Sequence, residues 1–232
     1  MLLFSILAAA IAPGISLLTY LYLRDKYEAE PIHIVVRMFV LGVLVVVPIM
    51  VVQRGLEIWL GNGTFVASFI HSAAVEEFLK WFILYHVIYN HTEFDEPYDG
   101  ILYAASISLG FATLENVLYA IYTPSSFGSL LARAMLPVSG HALFGVMMGY
   151  YLGKAKFAET RKKTKLFLSI SFALPFLLHG FYDLILMSVE QNWIWVIVPF
   201  MIGLWAWGLH KMNSANAKSP FRLVTREEEV KS

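Results

Sequence analysis

The chain has 232 residues, of which 58% are hydrophobic and 15% charged, so it is far more apolar than a soluble domain. Its formal net charge is zero, and it has no cysteine, which excludes disulfides, thiolate catalysis and iron–sulfur ligation. The charges are concentrated in short gaps between long apolar runs, and they give nucleic-acid binding no independent support. Lipid is therefore the expected solvent for most of the chain.

Seven apolar stretches are long enough to cross a bilayer as helices, since one crossing needs roughly 20 residues. In chain order they cover residues 2–23, 34–52, 64–89, 100–122, 131–153, 166–189 and 193–210. The runs are continuous and lack the period-two alternation of a membrane β-barrel. The sequence therefore predicts an all-α, polytopic transmembrane helix bundle of about seven spans over residues 1–212, followed by a polar cytoplasmic tail over residues 213–232.

The basic residues in the gaps predict the orientation, because Lys and Arg accumulate in cytoplasmic loops. Six of them lie between Lys154 and Lys165, after the fifth stretch, and others follow the first and seventh stretches. The opposite gaps hold only Arg54 and Arg133. We therefore expect the N-terminus outside and the C-terminus in the cytoplasm.

Ionisable side chains occur inside four of the stretches, although each costs about 2.5–3.5 kcal/mol near the bilayer centre. They are Glu76, Glu77 and Lys80 in the third, Glu115 beside Asn116 in the fourth, His141 in the fifth, and His179 and Asp183 in the sixth. With the predicted orientation, those of the last three stretches fall in the outer half of the bilayer, and the glutamate pair lies near the middle. This shared depth predicts one cluster.

Two pairs within the predicted cluster have the spacing of neighbours on a helix. Glu76 and Lys80 stand at i, i+4 and can form a structural ion pair, which leaves Glu77 pointing about 100° away without a partner. His179 and Asp183 have the same spacing, so the carboxylate can orient the imidazole and leave its other nitrogen for substrate, water or metal. Each pair alone also fits a purely structural role.

Small residues recur every four positions in the fourth and fifth stretches. They are Gly100, Ala104, Ser108 and Ala112 in one stretch, and Gly145, Gly149 and Gly153 after His141 in the other. Such stripes favour close helix packing over a substrate groove. If the two faces pack together, they bring Asn116 and His141 into one neighbourhood.

The residue types of the cluster limit its chemistry. Without cysteine, and with no serine sited beside a lysine or histidine, a covalent acyl-enzyme route has no support. A buried glutamate can activate water, while a neighbouring acid protonates the leaving amine and a histidine stabilises the oxyanion. His141, His179 and Asp183 or a glutamate can also supply three ligands to a divalent metal such as zinc. No HExxH motif is present, and metal dependence stays open at this point.

These residues lie in motifs that resemble the PrsW family of bacterial membrane proteases, over most of the chain. The motifs are, in order, IAPGISLLTYLYLRDKYEAEP, VEEFLKW, FATLENVLY, HALFG and HGFYD. The resemblance implies a multi-pass plasma-membrane protease that makes the first, site-1 cut in a single-span anti-sigma factor outside the membrane, leading to sigma-factor release under envelope stress. It assigns catalysis to Glu76, Glu77 and His179, with Glu115, His141 and Asp183 as supporting site residues. Lys80 and Asn116 are added as supporting residues because they lie next to these positions.

The residues also leave rival functions open. The pattern is remotely similar to CAAX-processing and Abi-type proteases. In those proteins, however, the charged residue after the double glutamate is an arginine one position later than Lys80. A proton- or ion-coupled transporter would use the Glu and His side chains as a relay. A non-catalytic membrane chaperone or scaffold would tolerate loss of both glutamate charges. The absence of an internal repeat counts modestly against transporters built from duplicated halves.

Overall fold

The computed structural model describes residues 2–123, 126–189 and 191–222, and this part of the chain contains helices and no strand. The α-helices are α1 (Leu2–Leu23), α2 (Ile32–Leu60), α3 (Val75–Val87), α4 (Pro97–Tyr122), α5 (Phe127–Arg133), α6 (Ser139–Lys156), α7 (Arg161–Ser188) and α8 (Trp193–Asn216). A π-helical segment (Val66–Ala74) leads directly into α3, and a second one (Ala134–Val138) joins α5 to α6. The predicted all-α class is confirmed.

Six helical stretches of the described chain are long and apolar enough to cross a membrane. They are Phe4–Leu23, Ile32–Leu60, Pro97–Tyr122, Gly128–Lys156, Arg161–Ser188 and Trp193–Asn216. The remaining long helix passes from π to α geometry at Val75 and contains three charged residues, Glu76, Glu77 and Lys80. The predicted polytopic helix bundle is confirmed, with six such stretches where about seven spans were expected.

The outer surface of α2 matches a lipid environment. Leu44, Val47 and Val51 are 62%, 61% and 69% exposed, although each side chain is wholly apolar. In water such a continuous apolar face would need a protein partner, whereas hydrocarbon solvates it directly. The exposed face therefore belongs to a helix that contacts lipid.

Several loops meet at one end of the bundle, here called the basic end because the six basic residues between Lys154 and Lys165, at the end of α6 and the start of α7, lie there. Tyr98 Oη donates to the Leu21 carbonyl over 2.9 Å, and Lys156 Nζ donates to the His91 carbonyl over 3.0 Å. The helix α8 also ends there, at Asn216, and so extends into the segment predicted as a tail. Of that tail, residues 223–232, with Arg226 and Lys231, lie outside the described residues.

The helix α4 forms the centre of the bundle, and α6 packs directly on its backbone. A Cβ atom at Gly149 would lie 1.9 Å from the Gly100 carbonyl oxygen, and one at Gly145 would lie 2.8 Å from that of Ala104. Only glycine permits this approach, because the two backbones occupy the space of a side chain. The predicted close packing of the two small-residue stripes is confirmed, and it fixes His141 of α6 relative to α4.

Candidate active site

The predicted ionisable residues form one cluster, built by α3, α4, α6 and α7 around Lys80. Lys80 Nζ donates to Glu77 Oε1 over 2.8 Å and to Glu76 Oε2 over 3.3 Å. The side chains of Lys80 and Glu77 have no exposed surface. The expected Glu76–Lys80 pair is present, but Glu77, to which helix spacing gave no partner, is the closer of the two carboxylates.

His179 lies between two carboxylates. Its Nδ1 is 2.9 Å from Glu77 Oε1, and its Nε2 is 3.4 Å from Asp183 Oδ2. The pairing of His179 with Asp183 predicted from their spacing is therefore confirmed. The second ring nitrogen faces Glu77, whereas the sequence analysis left substrate, water or metal as its partner. Both ring nitrogens are thus held, which fixes the orientation of the imidazole.

His141 lies beside His179, with 5.0 Å between the ring centroids. Its Nδ1 is 3.3 Å from Lys80 Nζ, and its Nε2 is 3.3 Å from Glu115 Oε2. Because an ammonium only donates, Nδ1 accepts from Lys80, and the ring proton then lies on Nε2, toward Glu115. Lys80 thereby selects the His141 tautomer.

Asn116 lies behind the cluster. Its Oδ1 accepts from Arg133 Nε over 2.9 Å, and its Nδ2 donates to the Ala10 carbonyl over 2.8 Å. Arg133 Nη2 in turn lies 3.4 Å from Glu115 Oε1. Asn116 and His141 therefore share one neighbourhood through Arg133 and Glu115.

Ser72 is a site residue that the sequence analysis missed. Its hydroxyl donates to Asp183 Oδ2 over 2.5 Å and lies 3.4 Å from His179 Nε2. The inference that no serine lies beside a histidine is therefore wrong, because the π-helical segment Val66–Ala74 packs against α7 and joins residues 107 positions apart. One signal was in the sequence: Ser72 precedes Glu76 by four positions and so shares its helix face.

Two cavities reach the cluster, and both are lined by Glu76, Glu115 and Arg133. The smaller, about 140 Å³, also contains Ser72, His141, His179 and Asp183. The larger of the two, about 310 Å³, lies between α2 and α4 and contains Gln53, whose Nε2 donates to Glu76 Oε1 over 3.1 Å. Glu77 lines neither cavity. Glu76 is thus the member of the glutamate pair that borders open space.

A wider groove at the basic end does not belong to this site. It measures about 490 Å³ and is lined by Pro97, Gly153 and Ala215, together with several lysines. None of the predicted site residues lines it.

The cluster is displaced toward the end of the bundle opposite the basic end. At 1.5 Å per residue, Glu115 lies about 10 Å along α4 from its end at Tyr122 and about 27 Å from its start at Pro97. The π-helical segments lie just before Glu76 and just before His141. Such segments occur frequently at functional sites, where the wider turn changes the direction of neighbouring side chains.

The donor atoms of the cluster fit a divalent metal ion. Glu76, Glu77, His141 and His179 each place one ligand atom within 4.8 Å of the others. Imidazole nitrogens and carboxylate oxygens are zinc ligands in proteins, and Glu77 Oε2 is buried without a hydrogen-bond partner. Asp183, a ligand candidate from the sequence, is not in this group; it faces His179 Nε2.

The fold and the cluster define a class: polytopic α-helical membrane proteins with a buried carboxylate–histidine centre. Residues 30–207 match the family described as "PrsW family intramembrane metalloprotease", and the chain belongs to this family. It is 52% identical to Protease PrsW of Bacillus subtilis (strain 168) over 92% of this chain and 97% of the relative. It is 50% identical to Protease PrsW of Geobacillus kaustophilus (strain HTA426) over 91% and 92%, respectively.

More distant relatives agree with this assignment. Protease PrsW of Clostridioides difficile (strain 630) is 32% identical over 88% of both chains. No solved structure matches the chain. The chain is therefore a membrane-embedded protease, as the motifs implied, and the matches do not favour a transporter. The metalloprotease description agrees with the donor set around Glu77.

Proposed function

We propose that this protease makes the site-1 cut in a single-span anti-sigma factor, on the outer side of the bacterial plasma membrane. The ordered motifs support the substrate class by resemblance. The outer side is supported by the displacement of the cluster from the basic end, because basic loops favour the cytoplasm. A second intramembrane protease then releases the sigma factor under envelope stress.

Glu76 is the proposed general base that activates water. The observation that carries this assignment is its position on the walls of both cavities, beside His179 in the smaller one. Lys80 and Gln53 donate to its two oxygens and hold the carboxylate in one orientation. The proton that Glu76 takes from water is then available for the leaving amine.

His179 is the proposed partner of the scissile carbonyl. Glu77 and Asp183 hold its two ring nitrogens, so its position is fixed before the substrate arrives. Asp183 holds Nε2, so Nδ1 is the nitrogen proposed to serve the reaction, either as a donor to the negative charge that develops on the carbonyl oxygen or as a metal ligand. Glu77 has no exposed surface; it positions His179 and Lys80 and is also a candidate metal ligand.

His141, His179 and Glu77 would hold a divalent metal such as zinc once Lys80 releases its hydrogen bond to His141 Nδ1. The bound ion would polarise the scissile carbonyl and acidify water. Glu115 contacts Nε2 of His141, and Asp183 contacts Nε2 of His179. Each carboxylate thereby orients one ring, as carboxylates around metal-binding histidines commonly do. Three protein ligands leave a fourth position open, and Glu76 remains available as base.

The test uses purified protein in liposomes with a tagged single-span anti-sigma factor, with and without a chelator. We expect one product from the wild type and none from Glu76→Ala, Glu77→Ala or His179→Ala, with Glu57→Ala of α2 as the matched control that retains cleavage. Cleavage that survives all three substitutions would reject the site. A protein that cuts other membrane peptides but leaves the anti-sigma factor intact would reject the substrate.

A further inference from the structure

A second group of carboxylates lies at the basic end, away from the protease centre. Asp25 follows α1, Glu30 precedes α2, Glu96 precedes α4, and Asp99 lies in the first turn of α4. Oxygens of Asp25, Glu96 and Asp99 lie within 4.8 Å of one another, and a second set joins Asp99 to Glu30 and Asp95 over the same range. Asp99 belongs to both sets, so the carboxylates form one continuous group.

Most oxygens of the first set are buried without a hydrogen-bond donor. Glu96 is 0% exposed; its carboxylate faces the Asp99 backbone N–H in a capping-box arrangement, but neither oxygen reaches hydrogen-bonding geometry with a donor. The same holds for both oxygens of Asp25 and for Asp99 Oδ1. Only Asp99 Oδ2 is satisfied, by the backbone N–H groups of Asp95 at 2.9 Å and Glu96 at 2.7 Å. An ionised carboxylate buried in this state is strongly destabilising unless a cation pairs with it.

The nearby basic side chains are directed elsewhere. Arg24 donates to Tyr20 Oη and to Asn213 Oδ1, and Lys156 donates to the His91 carbonyl. Within the described ranges, no Lys or Arg forms an ion pair with a carboxylate of this group. The described part of the chain therefore supplies no Lys or Arg ion pair to compensate these carboxylates in their ionised form.

Glu30 is a further buried carboxylate beside this set. Glu30 accepts a hydrogen bond from Tyr103 Oη and is 4% exposed. A bound cation would stabilise the charged form of these groups and offset the cost of burying them.

We propose that Asp25, Glu96 and Asp99, flanked by Glu30 and Asp95, bind a hard divalent cation. The donors are all carboxylate oxygens, with no imidazole or thiolate, which suits Ca²⁺ or Mg²⁺ and not zinc or copper. Ca²⁺ is the favoured occupant because it takes six to eight oxygens in irregular arrangements, whereas Mg²⁺ demands near-octahedral geometry. The ion joins the end of α1 to the starts of α2 and α4.

The test measures thermal unfolding and calorimetric titration of the full-length protein in detergent, first with chelator and then with Ca²⁺ or Mg²⁺. We expect a saturable rise in Tm and measurable binding heat for the wild type. Glu96→Gln keeps the side-chain volume but removes a buried negative charge, so it should abolish the ion response while leaving the ion-free Tm equal or higher. Asp25→Asn gives the same test if Glu96→Gln does not fold.

Two matched controls locate the ion. Glu28→Gln changes an exposed carboxylate of the same loop and should respond like the wild type. Glu77→Gln alters the protease centre and should also keep the response, which separates the two sites. The absence of any response to Ca²⁺ and Mg²⁺ in the wild type would overturn the proposal. A full response in both Glu96→Gln and Asp25→Asn would overturn it equally.

Discussion

Lys80 Nζ donates to Glu77 Oε1 over 2.8 Å, and neither side chain has any exposed surface. The same ammonium reaches Glu76 Oε2 and His141 Nδ1, each at 3.3 Å. One buried cation therefore positions two carboxylates and an imidazole that come from α3 and α6. Without it, like-charged groups would stand together in a low dielectric, where their repulsion is large.

Substitution Lys80→Met should lower the free energy of unfolding by about 3–5 kcal/mol, because it leaves buried carboxylates without their cation. Denaturant unfolding in detergent measures this loss. Lys163→Met is the matched control, since Lys163 pairs with Glu159 at 3.0 Å on an exposed surface. Such pairs contribute about 0–1 kcal/mol. Equal and small losses in the two variants would contradict the organising role of Lys80.

The packing of α6 on α4 gives a second prediction. Gly149→Ala should destabilise the protein by at least about 1–3 kcal/mol, because its Cβ would meet the Gly100 backbone and neither helix can yield alone. Gly203→Ala, on α8, is the control, since no atom lies within 4 Å of a Cβ there. Thermal unfolding compares the two. A Gly149→Ala protein as stable as Gly203→Ala would refute the close contact.

The sequence was sufficient to predict contacts between residues that lie on one helix or on evenly spaced stripes of two helices. The i, i+4 spacing of His179 and Asp183 predicted their pairing, and the four-residue repeat through Gly149 predicted the α4–α6 contact. Both inferences use only the regular geometry of the α-helix. The common depth of the ionisable residues likewise predicted that they meet.

The contacts between distant helices could not be predicted in this way. Ser72 meets Asp183 and Gln53 meets Glu76 because particular helices pack side by side, and no local spacing encodes that choice. The two π-helical segments come just before Glu76 and His141 and change the direction in which these side chains leave the helix. An ideal 3.6-residue period therefore misplaces side chains near these segments.

The position of Ser72 allows a test of the catalytic route. We expect Ser72→Ala to retain most of the cleavage rate, since its hydroxyl directs its proton to Asp183 and serves to position that carboxylate. Initial rates with the single-span substrate measure the effect, and an unchanged Tm shows that the fold is intact. Complete loss of cleavage in a folded Ser72→Ala protein would indicate a serine nucleophile and contradict water activation by Glu76.

Metal removal gives a fourth prediction. Dialysis against a strong chelator should abolish cleavage, and added zinc should restore it, because the donor group around Glu77 fits that ion. Elemental analysis should find less metal in His141→Ala than in the wild type. His86→Ala provides a control on α3, where the ring bonds only to its own helix backbone. Full cleavage by protein shown to contain no metal would refute metal dependence.

The most direct test of the central claim is the cleavage rate of Glu76→Gln in single-turnover assays. The substitution keeps the volume of the side chain but removes the base and replaces one of the two acceptor oxygens by an NH2 donor. We expect the rate to fall by roughly 10²–10⁴-fold in a protein whose cooperative thermal unfolding shows that it is folded, as for loss of a general base. Glu57→Gln, on the partly exposed end of α2, should cleave normally. A folded Glu76→Gln protein that cuts at the wild-type rate would contradict the account.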